Sequence, residues 1–478
     1  MYPGQTSLIP VQVALARFLE SQGPKAIFSH YPYWYLGSTP FRYLTGPVLP
    51  GGLVLLHKLI PGLNFFELFF GLMVVCWLFS GVGVYFLVRL LSRPKEAEQS
   101  AKNSLTPFLT AFFYLLGPFV FFLFPFSDGL SLIAFTFLPW FFILYTKSLQ
   151  QPKAKYDILL CILICFIILT HTLIMPSLFL GMMAVLLAVS GWKKIELKIK
   201  KTLRIILYAL LFATIWYMPG YWVRVLLAPS FAGKPFFKVV FEVGQLLPLG
   251  LAFYLGVHKL KSKNPLFKFC FYWLFSFGFL TFLRFIADPD FWLDWSAYGM
   301  ELQLGMSILL GLLIDRFRQR YRNQLILVPV LAFYLLLFCL IFKKWVLGTL
   351  QKEINQSIEY KIGSQLVKIA KRDETVFLSG TSVFWLNAFY DIPQVRGGVD
   401  QASANADWRK AAWEIREGQD PEKSREWLRK LGVRYLVVHT FKSGEFYHDF
   451  KFPDKFEGFP GMQKILDYEG DRIYQVSE

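Results

Sequence analysis

Apolar residues arrive in blocks about twenty long, separated by short charged stretches, near positions 65–90, 105–126, 129–147, 156–172, 175–192, 203–222, 241–258, 266–286, 299–314 and 324–346. A helix rises about 1.5 Å per residue, so such blocks match the roughly 30 Å hydrocarbon thickness of a bilayer. The pattern predicts about ten spans, an all-α polytopic transmembrane helical bundle over 65–348. Ahead of it, residues 8–22 place Leu8, Val11, Leu15, Phe18 and Leu19 on one face, with Gln12, Arg17 and Glu20 elsewhere, and Gly23-Pro24 stops the pattern. This predicts a helix lying in the membrane interface. The next stretch is rich in proline, glycine and aromatics from Tyr31 to Tyr43, a composition that cannot hold a long helix and suits a structured loop at headgroup level. Residues 1–64 are thus expected to form an outer loop, and 51–62 are too short to span.

Past 349 the pattern changes. The short runs 375–380, 433–440 and 472–477 read as strands, and 406–417 as a helix. Another helix begins at Asp420-Pro421 and ends at Leu431-Gly432, with a capping side chain, a first-turn proline and a terminal glycine in order. Strands separated by helices predict a soluble α/β domain over 349–478.

Basic residues fix the expected topology. Alternate gaps between the apolar blocks hold roughly twenty-one Lys and Arg, against only Arg224, Lys234, Lys238 and Arg284 in the others. The basic gaps belong on the cytoplasmic side, which puts residues 1–64 and the domain after 348 outside a multi-pass cell-membrane protein. A chain that starts outside needs something to carry its first segment across, so a further apolar helix is expected upstream of Met1. The net charge of +17 is accounted for by this topology and by anionic lipid headgroups, leaving no basic groove for nucleic acid. Hydrophobic residues make up 55% of the chain and charged ones 17%, which excludes an ordinary soluble protein of this length. All five cysteines fall in apolar blocks, so no disulfide framework is implied. Phosphate-binding glycine loops, HExxH and GxSxG are absent, against ATPase, zincin and hydrolase readings.

The run HYPYWYLGSTPFRYLTGPVLP (30–50) resembles the first outer loop of GT-C-type membrane glycosyltransferases, and FYDIPQVRGGVDQ (389–401) with LGVRYLVVHT (431–440) is similar to the outer domain of one bacterial group of them, some described as 6-pyruvoyl-tetrahydropterin-synthase-related. The resemblance implies a polyprenyl-phosphate-linked sugar as donor, transfer outside the cytoplasm in cell-envelope glycan assembly, and an acidic residue in the first outer loop. Here that place reads Gln5-Thr6-Ser7, and the nearest carboxylate is Glu20. A hydroxyl cannot act as base without a partner to take its proton.

Candidate site residues follow. Asp128, in the short outer turn FPFSDGLS, stands where the resemblance expects a second acidic residue; as plain structure it is a helix N-cap. Asp288 and Asp290 are spaced to share a divalent ion, Mg or Mn, although Pro289, Trp292 and Trp295 also suit an interfacial turn. His171 ends a span where it could shuttle a proton or bind phosphate, or simply bond a neighbouring helix. Arg42, Arg224 and Arg284 are outer-side guanidiniums able to grip a lipid phosphate, or to snorkel to headgroups. Glu67, Glu242 and Glu301 sit in or beside apolar blocks, and at least one is expected to line the bundle interior. The expected activity is sugar transfer from polyprenyl phosphate. The alternative is a non-catalytic relative that scaffolds an envelope complex or handles a lipid-linked glycan; a transporter would require inverted repeats that are not visible.

Overall fold

The structure is a computed structural model of the 478-residue chain. It describes residues 2–3, 8–43, 46–92, 104–119, 129–151, 153–190, 195–226, 240–241, 244–251, 253, 264–286, 298–321, 327–346, 350–351, 353–398, 403, 405 and 407–477. The chain divides into two compact units, one of residues 71–124 and 128–348, the other of 1–70, 125–127 and 349–478.

Two helices come first, α1 (Leu8–Gln22) and α2 (Val48–Leu59), followed by the long α3 (Phe65–Leu91). Then come α4 (Thr106–Leu115), α5 (Gly129–Gln150), α6 (Ala154–Thr170), α7 (Met175–Val189), α8 (Ile195–Trp216) and α9 (Pro219–Leu226). The helical part is completed by α10 (Pro265–Ile286), α11 (Gly299–Tyr321) and α12 (Leu327–Ile341). By length and composition, α3, α5, α10 and the helical stretch Thr172–Val189 can each cross a membrane. Of the expected span at 241–258, residues 241, 244–251 and 253 are described.

Within the helical unit, polar side chains stitch α4 to α11. Asp315, buried on α11, accepts hydrogen bonds from Ser104 Oγ at 2.7 Å and Thr106 Oγ1 at 2.9 Å, placing a carboxylate at the N-terminus of α4 where the helix dipole favours it. At the other end Gln303 Nε2 donates to the Tyr114 carbonyl at 2.7 Å, while its Oε1 accepts from the Phe119 N–H at 2.8 Å. Gly311 allows the close approach between them: a Cβ there would lie 2.4 Å from Thr110 Oγ1 and 3.2 Å from the Thr106 carbonyl oxygen. Gly311→Leu is expected to force the two helices apart at a cost of about 1–3 kcal/mol, read as a lower melting temperature in detergent.

Of the glutamates expected in the apolar blocks, Glu301 is an interior one. It is buried, its carboxylate accepts from Ser177 Oγ on α7, and its backbone carbonyl accepts from Trp273 Nε1 on α10 at 2.7 Å. Glu67 instead closes the start of α3: its carboxylate accepts from the Asn64 N–H at 2.9 Å, and Asn64 Oδ1 accepts from the Glu67 N–H at 3.0 Å, a reciprocal capping pair. Glu242 lies outside the described residues.

The other unit holds the sheets. A two-residue strand β1 (Tyr2–Pro3) pairs antiparallel with β2 (Leu350–Gln351). After α13 (Ile358–Ile369) come β3 (Thr375–Phe377), α14 (Ser382–Phe389), α15 (Trp408–Glu417) and α16 (Pro421–Lys430), and then β4 (Val433–His439), β5 (Met462–Tyr468) and β6 (Asp471–Val476). The four-stranded sheet runs β3-β4-β6-β5, with β3 parallel to β4 and the other pairs antiparallel. Alternate residues of β4 feed two cores: Leu436 and Val438 join Phe377, Leu428 and Tyr474, while Tyr435 and Val437 join Val376, Leu386 and Ile473. Both faces are covered, which is why this strand reads as a continuous apolar run. The expected α16 is present as read, with Asp420 accepting from the Glu422 N–H at 2.9 Å and Gly432 at φ +65°.

The first sixty residues pack against the C-terminal part of the chain. The helix at 8–22 forms, and Val11, Val13, Leu15 and Phe18 are all buried, on more than one face, because α1 packs against α2 and α14. The aromatic loop is likewise covered by protein. Trp34 is fully enclosed, with its indole against Gly397 and Gly398, where added Cβ atoms would lie 2.3 and 2.6 Å from the ring. Tyr35 Oη donates to the Gly398 carbonyl at 2.7 Å, and the Gln394 N–H donates to the Tyr33 carbonyl at 3.1 Å. The two segments that carried the family resemblance therefore dock on each other.

Candidate functional site

Of the seven site residues expected from sequence, Asp128, Asp288 and Asp290 lie outside the described residues, and so does the side chain of Arg224 on α9. Arg42 is half-buried in the unit that holds the sheets, in the short turn Pro40–Tyr43, with its guanidinium 5.8 Å from the centre of the Phe28 ring. In the helical unit His171 closes α6, its N–H donating to the Ile167 carbonyl at 3.0 Å, and Arg284 lies half-buried in the last turn of α10. Among the described residues no group of three His, Cys, Asp or Glu side chains is arranged to hold a metal ion.

What the described residues do bring together is a polar cluster at the C-terminal ends of β3 and β4. Chain leaves β3 through Leu378-Ser379-Gly380 and enters α14 at Thr381-Ser382, and the N-terminus of that short helix points its free N–H groups at a buried carboxylate. Glu445 accepts from the N–H groups of Thr381 at 2.8 Å and Ser382 at 3.1 Å, from Ser382 Oγ at 2.7 Å and from the Phe446 N–H at 3.0 Å. Gly380, at φ +66°, is needed there, since a Cβ would lie 2.5 Å from the Glu445 carboxyl carbon.

His439, the last residue of β4, is enclosed beside this carboxylate. Nδ1 lies 2.6 Å from Asp471 Oδ1 and Nε2 lies 3.0 Å from the Ser379 carbonyl oxygen, so both ring nitrogens face acceptors and both carry protons. Burial pushes the imidazole pKa down, but the Asp471 hydrogen bond and the charges of Glu445 and Asp471 hold it above its ordinary value. Burial pushes Glu445 up, and the His439 charge with the Thr381 and Ser382 hydrogen bonds takes it below the usual carboxylate range. Glu359 on α13, buried near Glu445, is pushed up by desolvation and by that neighbour's charge.

These directions fix a pH dependence. His439 contributes stability that is fully present below its unfolded pKa of about 6.5 and is lost as pH rises through its raised folded value. Glu445 contributes stability that is present above its unfolded pKa of about 4.3 and is lost as pH falls through its lowered folded value. Melting temperatures of the full chain are therefore expected to fall as pH rises above about 6.5, and His439→Gln should flatten that fall while lowering stability near pH 6. An unchanged profile in the variant would exclude His439 as its source.

Beside this network is a cavity of about 380 Å³, lined by Gly380, Thr381, Phe384 and Tyr447 and by the charged trio Arg396, Arg416 and Asp449. Asp449 Oδ2 accepts from Ser379 Oγ at 2.6 Å and Arg416 Nη1 at 2.9 Å, with Arg396 Nη1 at 3.5 Å. Burial would raise this carboxyl, but the Ser379 bond and both arginines keep it below its ordinary range, and it stays ionised. The sequence reading passed over this cluster because its members lie far apart along the chain. The available signal was the LSGTS turn following a strand and opening a helix, a local pattern that places an anion at backbone N–H groups.

No protein-family model matches the chain, and no curated protein matches it in sequence. Helices long and apolar enough to cross a membrane are followed by a small sheet domain, and this fold has likenesses among solved structures. It is similar to the crystal structure of the oligosaccharyltransferase of Archaeoglobus fulgidus in the apo form, with a TM-score of 0.53 at 12% identity over 98% of this chain and 70% of that one. The same organism's AglB in complex with an inhibitory peptide and a dolichol-phosphate gives a TM-score of 0.50 at 12% identity over the same shares. ArnT from Cupriavidus metallidurans in the apo state gives 0.51 at 13% identity over 97% of this chain and 92% of that one.

Proposed function

We propose that the chain is a membrane glycosyltransferase of the GT-C kind that takes its sugar from a polyprenyl-phosphate-linked donor in cell-envelope glycan assembly. The observation that carries this reading is the fold likeness, which extends over 98% of the chain to an enzyme whose structure holds a dolichol-phosphate. Fold alone does not supply chemistry, so the reaction is assigned to residues. The acceptor hydroxyl attacks the anomeric carbon of the donor, a new carbon–oxygen bond forms as the bond to the lipid phosphate breaks, and Asp128 takes the hydroxyl proton. The electron pair leaves on the phosphate, whose charge Arg224 and Arg284 are assigned to neutralise through paired N–H donors, with His171 as a proton relay, while Arg42 is assigned by itself to lipid phosphate binding. A divalent ion, Mg or Mn, would be held by Asp288 and Asp290 and would supply charge neutralisation at the phosphate.

The test is transfer in proteoliposomes: purified chain with polyprenyl-phosphate sugars on the outer leaflet and a hydroxyl-bearing acceptor lipid or glycan. Sugar-dependent release of polyprenyl phosphate supports the reading. A second reading, a non-catalytic scaffold, is favoured by Gln5-Thr6-Ser7 standing where the resemblance expects an acid. It requires no release with any donor, together with co-purification of an envelope complex that dissociates when the chain is removed.

A further inference from the structure

We propose that the cavity beside β3 and β4 is a binding site for a small anionic ligand, a phosphate- or carboxylate-bearing molecule of about monosaccharide size, held by Arg396 and Arg416. This is independent of the transferase reading and concerns only the sheet-bearing unit.

Its position is the first argument. Open α/β sheets take ligands in the crevice beyond the carboxyl ends of their parallel strands. This cavity has Gly380 and Thr381 just past β3 on one side and Tyr447 and Asp449 past β4 on the other. The residues that would hold an anion in many such folds, the N–H groups opening the following helix, are already taken here by the internal carboxylate of Glu445. Recognition therefore falls to the guanidiniums.

Charge is the second argument. The wall carries two arginines against one carboxylate, and an arginine cannot discharge the imbalance by losing its proton. Arg396 is only 18% exposed at its side chain, so its charge is costly where it stands; burial and the neighbouring Arg416 both push its pKa down. The bonds to Asp449 and Ser379 use only Nη1 of Arg396, and the bond of Arg416 to Asp449 likewise uses its Nη1. Arg416 Nε is spent on the Ala412 carbonyl of its own helix, and its Nη2 reaches only the edge of Glu417 at 3.9 Å. Among the described residues the two Nη2 groups are left as donors suited to the paired oxygens of a phosphate or carboxylate. The third argument is the rim, where Tyr447 is 52% exposed and packs edge-on against Phe446, offering an aromatic surface to whatever carries the anion.

The experiment is calorimetric titration of the full chain in detergent with inorganic phosphate, glucose 1-phosphate, glucuronate and glucose. The three anions are expected to bind and to compete for one site, while glucose does not bind. Arg416→Gln should weaken all three by about tenfold or more, with Arg416→Lys, which keeps the charge and loses the fork, falling between. Asp449→Asn should tighten binding several-fold, because it removes the carboxylate that now competes with the ligand. That gain separates a ligand site from a purely structural ion pair, for which the same change only destabilises. Tyr447→Ala distinguishes the sources: if the physiological ligand is a sugar bearing the anion, it lowers affinity for glucose 1-phosphate and not for phosphate, and if it is the free anion, both are unchanged. Absence of anion binding to both the wild-type and Asp449→Asn proteins, each shown folded by near-ultraviolet dichroism, would overturn the proposal, as would binding that Arg416→Gln leaves intact.

Discussion

Asp128→Asn is expected to lower sugar transfer by about 10²- to 10⁴-fold, the range that removal of a general base costs, with donor binding little changed. Asparagine keeps the shape of aspartate and its ability to accept a hydrogen bond, so the N-cap role that this position can also play is largely preserved. The substitution thereby separates the two roles. A purely capping Asp128 leaves turnover intact and shifts stability by a few tenths of a kcal/mol, whereas a proton-accepting Asp128 loses turnover while the protein melts at nearly the same temperature. The measurement is single-turnover release of polyprenyl phosphate beside a melting curve, and undiminished release removes Asp128 from the mechanism.

Trp34→Ala is expected to destabilise the sheet-bearing unit by about 3–5 kcal/mol, the cost of truncating a fully buried tryptophan. The figure belongs at the high end because the site cannot collapse. The indole lies on the bare backbone of Gly397 and Gly398, the tilted Tyr31 ring is centred 4.6 Å from it, and no side chain at 397 or 398 exists to move into the space. Trp34→Phe should recover part of the loss. Protease digestion reads the outcome: in Trp34→Ala, cleavage near residues 30–40 should appear well before that of the wild type, and equal resistance would show that this contact does not hold the unit together.

How much of this was legible in the sequence depends on whether each signal is local. The helix from Asp420 to Gly432 was, because its cap, first-turn proline and terminal glycine lie within thirteen consecutive residues and each acts on its own neighbours. Strand β4 was legible from its unbroken apolar run. Strand β5 was not: at the sheet edge most of its residues are partly or fully exposed, and MQKILDY carries no stretch that a buried face would demand. Helix α13 was passed over because Gly363 interrupts its apolar spacing, and the structure shows its use, since a Cβ there would lie 2.9 Å from the Tyr390 ring. The helix at 8–22 shows the other limit. Its periodicity was sufficient to place it, but amphipathic spacing does not say whether lipid or protein covers the apolar face. The answer came from α14, far along the chain. The His439, Glu445 and Asp449 cluster lies beyond sequence reading for the same reason, as its members become neighbours only when the sheet forms.

The docking of Trp34 and Tyr35 onto Gly397 and Gly398 also sets an order of events during synthesis. The Tyr35–Gly398 hydrogen bond spans 363 positions, and a ribosome adding about 5–20 residues per second needs roughly 20–70 s to make that much chain. Throughout that interval the aromatic segment has been made and its seat has not. A chain that ends before residue 394 lacks that seat, and its aromatic segment is expected to be cut by protease sooner than in the full-length protein.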